Sequence, residues 1–439
     1  MKVLQVLNHF LPQQTAGTEV YTWALCKQLQ QLGVDVQVLI PNYGQTVATD
    51  YVYDGLDVFQ YAEPSVVDRS LIMGFRASDG LPHFIAYLQS TKPEIVHFHE
   101  LAGSNGISLQ HLHATKAIGA KVIMTFHLAG YSCKTGTLVY KGDSMCDGVI
   151  DLQKCSACYL HARGYATAAP YITGASSLLH QFSIDTTKLN SKVGTALGTV
   201  PIIAKLKSDF HALVAACDRV VAITNWYKKI LLENRVKKEK ISFIPQGLPR
   251  NAININEKNK CKHRPLRLIF LGRINKFKGL QLLISALDGI DPSLVNLSIF
   301  GNSDDLSYEN YLRDSTHQMT NVFWKGKLLQ DDVVSTLNRH DILCLCSTFS
   351  EMSPLVIQEA FAAGIPVLAS NVYGNAEQIQ HGHNGLLFQF NNVADLRRQL
   401  LRCIEESSLL ENLSKNIKPP RSFEEVGHDY FKLYKSLLN

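Results

Sequence analysis

One stretch, Ser347 to Gly364, constrains this chain more than any other. It reads Ser-Thr-Phe-Ser-Glu-Met-Ser-Pro-Leu-Val-Ile-Gln-Glu-Ala-Phe-Ala-Ala-Gly. Ser353 has the side chain of a helix N-cap, and Pro354 suits the first helical position, where its missing N–H is not needed. Leu355, Ile357, Ala360, Phe361 and Ala363 supply apolar positions, Gly364 ends the helix, and Pro366 follows. Upstream, Asp341 to Cys346 reads as a buried strand. The order is strand, polar turn, helix, with Glu351 in the turn and Glu359 in the second helical turn. A helix N-terminus at the carboxyl end of a parallel strand favours anions, through unpaired N–H groups and the helix dipole. Two carboxylates there make little sense for phosphate alone. They suit a phosphate bonded to a group rich in hydroxyls.

Glu351 and Glu359, together with the Gly-Ile-Pro-Val-Leu-Ala-Ser run from Gly364 to Ser370, resemble the signature of retaining glycosyltransferases of family 4. Any charged helix can produce two glutamates at this spacing. The complete strand-turn-helix-Gly-x-Pro-strand run is far more specific. The family usually has glycine after the first glutamate, where Met352 stands here. The resemblance implies an α/β fold of the GT-B type: two Rossmann-like, doubly wound parallel-sheet domains facing a cleft.

Composition narrows the alternatives. A chain of 439 residues with 46% hydrophobic and 18% charged residues has enough apolar material for two or three domain cores. A net charge of +5, spread along the chain, lacks the concentrated basic stripe of a nucleic-acid binder. It suits loose attachment to an anionic membrane surface or acceptor. No run of apolar residues reaches membrane-spanning length, and Met1 to Asn8 reads as a first strand and not a signal peptide. Ten cysteines without a secretion signal then point to free thiols or metal ligands in a reducing compartment, and the expected location is the cytoplasm.

In chain order, a strand over Val3–Asn8, a helix over about 18–32 and a strand over Val34–Ile40 form a βαβ unit. Ala16-Gly17 sits in its first loop, at the carboxyl end of the first strand, where open α/β sheets bind ligands. Two further strands end at His99 and His127. Next, Cys133, Cys146, Cys155 and Cys158 fall within 26 residues, the last two as Cys-x-x-Cys. The set fits a structural, four-thiolate zinc site holding a loop short of its own core; unligated thiols or an iron–sulfur cluster are the alternatives. Residues 166–200, rich in small side chains, read either as an acceptor-side or lid segment or as a plain helix pair. The basic run from Arg235 to Lys240 is a solvated helix end or a contact with anionic lipid.

Residues 1–250 thus form a first domain with a cysteine-containing insertion at about 130–200, and 251–265 a polar linker. A second strand series covers 266–420, and a last helix over 421–439 crosses back to the first domain. Arg273 and Lys278 follow a strand ending at Gly272, placed to neutralise a diphosphate without a divalent metal.

The family resemblance implies the remaining roles. Glu359 binds ribose hydroxyls, and Arg273 with Lys278 holds the donor diphosphate. Gly17, Ser353, Pro354 and Leu355 line the donor with backbone, Glu351 lies beside the sugar ring, and His127 contacts the sugar or reaction centre. No catalytic cofactor is required. The implied activity is retaining transfer from a UDP- or GDP-sugar to a glycan or lipid-linked acceptor, in surface-polysaccharide synthesis. A nucleotide-sugar epimerase and a degenerate nucleotide-sugar-binding subunit are the rivals. Neither first turn carries Gly-x-Gly-x-x-Gly, which argues against a dinucleotide oxidoreductase.

Overall fold

The computed structural model describes residues 1–102, 106–249 and 265–439. They divide into two compact units. The first comprises Met1–Gly142, Cys146–Pro249 and Phe423–Asn439; the second takes in residues 265–422 with Asp143–Met145. Most of the linker expected at 251–265 lies outside the described residues.

The first unit is built on an eight-stranded sheet. Across it the strands run Ile241–Phe243, Arg219–Ala222, Lys121–Phe126, Ile95–Phe98, Lys2–Val6, Asp35–Tyr43, Leu56–Glu63 and Thr49–Tyr53. All neighbours pair in parallel except the last two, which form an antiparallel hairpin. Helices cover both faces, so the central strands are apolar throughout: Ile95, Val96 and Phe98 are fully buried. Strand order reverses between Lys2–Val6 and Ile95–Phe98, and at such a switch the loops splay apart at the carboxyl edge. Between Lys121–Phe126 and Arg219–Ala222 the chain inserts helices Leu152–Ala162, Ala169–Gln181, Lys192–Leu197 and Thr199–Ala216.

The second unit carries a six-stranded, wholly parallel sheet. Its order is Val322–Gly326, Val295–Phe300, Leu266–Leu271, Ile342–Leu345, Val367–Ser370, Gly385–Phe388. Here the switch falls between Leu266–Leu271 and Ile342–Leu345, the strands that precede the Arg273 and Glu351 loops. The two sheets place the chain in the GT-B fold class, as expected.

The last helix, Phe423–Leu438, belongs to the first unit and buries Phe423, Val426, Gly427, Tyr430 and Tyr434. Gly427 lets it approach helix Gly17–Gln31, since a Cβ there would stand 2.5 Å from Gln28 Cβ. Its tyrosines complete a buried polar chain. Tyr434 Oη lies 2.7 Å from His97 Nδ1 and accepts from Gln5 Nε2 at 3.3 Å. His97 Nε2 lies 2.7 Å from Thr125 Oγ1, which meets Tyr430 Oη at 2.8 Å; Tyr21 donates to Tyr430 at 3.0 Å. Each group is buried, so each depends on the next for its hydrogen bonds. Tyr434→Phe strips a partner from both His97 and Gln5. It is expected to cost about 1–3 kcal/mol in urea unfolding, against a few tenths for a change at exposed Leu438.

Candidate functional site

In the second unit, the end of strand Leu266–Leu271 passes through Gly272 into a loop where Asn275 Oδ1 accepts from the Lys278 amide at 3.1 Å. Gly279 follows at φ +69°, and a Cβ there would lie 1.8 Å from the Cys346 carbonyl oxygen. The loop is thus pressed backbone-to-backbone against the end of the neighbouring strand. Only glycine fits there, on both counts. On the other side, a Cβ at Gly374 would fall 2.1 Å from the Glu351 carbonyl oxygen. The Glu351 turn is therefore located by main-chain contacts.

Within this frame the two expected motifs meet. Lys278 Nζ lies 2.6 Å from Glu351 Oε1, with both side chains largely buried. Ser347 Oγ donates to the same oxygen at 2.6 Å, and the Ser370 hydroxyl donates to the Ser347 carbonyl at 2.8 Å. The Lys278 ammonium also sits 5.3 Å from the centre of the Phe349 ring. Arg273, by contrast, is exposed and has no ion-pair partner among the described residues. Glu359, on helix Leu355–Ala362, is buried and accepts from Gln330 Nε2 at 2.7 Å. Sequence reading had no means of finding Gln330, which arrives from a segment nearly thirty residues upstream.

Two details differ from expectation. The helix begins at Leu355 with Pro354 in the capping position, at φ −66° and ψ 120°, and no side chain caps it. Ser353 therefore stands one residue outside the cap, because the extended ψ at Pro354 delays the helix. The first-turn N–H groups consequently lack a side-chain acceptor from the cap. Met352 is buried and keeps a negative φ, so this turn does not require the family's glycine. The helix end matches expectation: Gly364, at φ +70°, lets Ile365 N–H bond the Ala360 carbonyl at 3.0 Å.

In the first unit, His127 follows strand Lys121–Phe126 and packs edge-on to Tyr21, with ring centres 4.7 Å apart. Its Nε2 is 3.1 Å from His99 Nδ1, and His99 Nε2 is 2.7 Å from Gln5 Oε1. The amide oxygen only accepts, so His99 donates from Nε2 and accepts at Nδ1, and His127 donates from Nε2. His127 is left with a lone pair at Nδ1. Burial holds its imidazole at about 3, and it holds His97 and His99 well below their ordinary range. His127 is thus a neutral hydrogen-bond acceptor at physiological pH and not an acid.

Gly17 opens helix Gly17–Gln31 behind Ala16, again without a side-chain cap. Beyond its chain neighbours and its own helix backbone, no protein atom lies within 4 Å of where its Cβ would be, so no packing contact demands glycine there.

Glu100 was not singled out from the sequence. It follows His99 at the carboxyl edge and accepts from the Asn8 amide at 2.9 Å. Burial first, and then the Glu19 carboxylate, raise it to about 7. Its position directly after a strand-ending histidine was the available signal.

The four cysteines of the insertion line one small cavity with Lys134 and Lys154, and all four are free thiols. Each sulfur is turned to a local partner: Cys133 to Thr135, Cys146 to Asp147, Cys155 to the Val149 carbonyl and Cys158 to that of Val139. Among the described residues no three His, Cys, Asp or Glu side chains converge as metal ligands. The arrangement gives the zinc expectation shared walls but no coordination geometry.

Comparison with known proteins agrees with this fold and these motifs. The family described as "Glycosyl transferases group 1" matches residues 251–419, and "Glycosyl transferase 4-like domain" matches residues 16–168. The chain belongs to the family-4 glycosyltransferases of GT-B fold. It is 27% identical over 238 residues to an uncharacterised glycosyltransferase of Methanocaldococcus jannaschii, covering 51% of this chain and 59% of that protein. It is 28% identical over 255 residues to the Escherichia coli UDP-Gal:alpha-D-GlcNAc-diphosphoundecaprenol alpha-1,3-galactosyltransferase, covering 55% and 62%. The matched segments thus span little more than half of these relatives. The structure of Anabaena HepE, in complex with UDP and glucose, superposes with a TM-score of 0.63 at 14% identity, covering 99% of this chain and all of that one.

The histidines set an acid limit on stability. Their folded values lie below the unfolded value of 6.5, so the unfolded chain binds more protons as pH falls below 6.5. Each such group removes up to about 1.4 kcal/mol of stability per pH unit. Glu100 acts oppositely, its raised value stabilising the fold towards lower pH between 4.5 and about 7, but it is one group against these three histidines and His111, which burial also lowers to about 3. The urea midpoint is expected to fall steadily as pH drops below 6.5, and His97→Gln to flatten that slope.

Proposed function

We propose that this protein transfers a sugar, with retention, from a nucleoside diphosphate sugar to a glycan or lipid-linked acceptor in surface-polysaccharide synthesis. The observation that carries the reading is the Lys278–Glu351 pair beside the uncapped start of helix Leu355–Ala362, with unpaired Arg273 in the adjoining loop. A diphosphate needs concentrated positive potential, and Arg273, Lys278 and the helix N–H groups supply it without a divalent ion. Lys278 and Ser347 both bond Glu351 at Oε1, which leaves Oε2 for a sugar hydroxyl. Glu359, held by Gln330, takes the ribose hydroxyls.

His127 offers its Nδ1 lone pair to a donor hydroxyl, and Gly17 leaves room for a ligand to approach the backbone. In the transfer step the anomeric carbon–phosphate oxygen bond breaks as the acceptor oxygen bonds the same face. The acceptor proton passes to the departing phosphate oxygen, so no separate base is needed. The UDP in HepE and the UDP-galactose donor and diphosphoundecaprenol acceptor named for the E. coli relative support a uridine donor and a lipid-linked acceptor.

Thermal stabilisation by nucleoside diphosphates and their sugars tests the donor assignment. A ligand at about a hundred times its Kd adds about 2.7 kcal/mol. Arg273→Ala is expected to weaken the hit about tenfold or more while leaving the ligand-free melting temperature unchanged. A folded protein that responds to none of the panel overturns the donor assignment.

A structural zinc at Cys133, Cys146, Cys155 and Cys158 is a finer part of this proposal, and it rests on their spacing in the sequence, not on the geometry of their shared cavity. Elemental analysis of the purified native protein is expected to find close to one zinc per chain. A preparation free of both zinc and iron removes the metal.

A further inference from the structure

The helical insertion of the first unit contains a second, larger cavity, of about 560 Å³, whose walls include none of the residues assigned above. Its walls include Arg69, Tyr159, Arg163, Tyr165, Lys192 and Thr195. Arg69 reaches it from residues 69–72 and ties two segments together. Its guanidinium donates to the carbonyls of Thr187 at 2.5 Å and Leu189 at 3.1 Å, and to the Thr195 hydroxyl at 3.3 Å, while Nε is buried without a partner. None of these acceptors is a carboxylate, so its charge is not neutralised. Arg163 lies over the Tyr159 ring at 4.5 Å.

From residue 163 to 207 the chain carries Arg163, Lys188, Lys192, Lys205 and Lys207 against the single acid Asp185. Of these cations only Lys205 has an ion-pair partner among the described residues, Asp209. The local field is felt at Lys134, which is held below its ordinary range first by burial and then by Arg163.

The same insertion exposes a set of apolar side chains. Tyr171, Leu178, Phe182, Ile184, Leu189 and Val193 in the insertion are all more than half exposed except Ile184, at 50%. Val66, Val67, Ile72 and Phe75, on the segment stitched in by Arg69, are exposed as well. Three aromatic rings and several aliphatic chains exposed on the elements that carry these unneutralised cations suit a surface that is apolar below and anionic above. No helix among the described residues is long and apolar enough to cross a membrane, so contact through this face would be interfacial.

We infer that this face docks on an anionic phospholipid surface, with a lipid phosphate headgroup in the cavity and the flanking apolar side chains in the acyl boundary. The site is distinct from the basic run at Arg235–Lys240, and it deepens the lipid-linked part of the proposed function without depending on the donor assignment. Arg69, Arg163 and Lys192 hold the phosphate; Phe182, Ile184, Leu189 and Val193 insert.

Co-sedimentation with vesicles tests this. The protein is expected to pellet with equimolar phosphatidylcholine–phosphatidylglycerol vesicles and to stay in solution with phosphatidylcholine alone. Each basic residue near such a surface contributes roughly a fivefold factor, so Arg163→Glu with Lys192→Glu should weaken binding by about twentyfold or more. Phe182→Ser with Ile184→Ser, both exposed and thus tolerable to the fold, should also release the protein. Failure to bind anionic vesicles overturns the inference. So does binding that the serine variant retains and inorganic phosphate displaces, which marks a free-phosphate site. Thermal stabilisation by the donor is read separately and should be unchanged in both variants, so failure of either proposal is recognisable by itself.

Discussion

The first unit depends on a buried run of hydrogen bonds that begins at the carboxyl edge of its sheet and ends in its last helix. His127, His99, Gln5, Tyr434, His97, Thr125, Tyr430 and Tyr21 form it, and the fixed chemistry of the Gln5 amide sets the proton order at its His127 end. In a low-dielectric interior such a chain is stabilising only when complete. It keeps three imidazoles neutral and presents a single lone pair at Nδ1 of His127. The side chain proposed to meet the sugar thus has its tautomer set by residues that never approach the ligand.

The second unit solves its positioning problem differently. Its turn and loop are located by backbone contacts that glycine alone permits, at Gly279 and Gly374, and the side chains are then locked by the Lys278–Glu351–Ser347 cluster. Main-chain contacts fix where the turn runs; hydrogen bonds fix where the carboxylate points. Precision of this kind suits a site that must hold a diphosphate and a sugar ring at once.

Much of this was legible in the residues. Strands with two buried faces announce themselves as unbroken apolar runs, and the Glu351 motif carries its own helix end in Gly364. Legibility ended where partners come from elsewhere in the chain. Gln330 on Glu359, Tyr434 on His97 and Arg69 on Thr187 have no local sequence mark. The hairpin Thr49–Glu63 does have one, since Asp54-Gly55 between alternating residues is a hairpin turn with both residues at positive φ. The Ser353 cap failed for a conformational reason: proline fixed the local φ, but ψ was free to stay extended and shift the helix start by one residue.

The place of helix Phe423–Leu438 has a consequence for biosynthesis. Residues 1–249 leave the ribosome with His97, Thr125 and Tyr21 lacking the hydroxyls of Tyr430 and Tyr434. They cannot close their core until the second unit has been translated as well. During that interval the first unit exposes the groove meant for Phe423, Val426 and Tyr430, an apolar surface open to aggregation or chaperone capture. The order of synthesis thus makes the early half of the protein wait for its final helix.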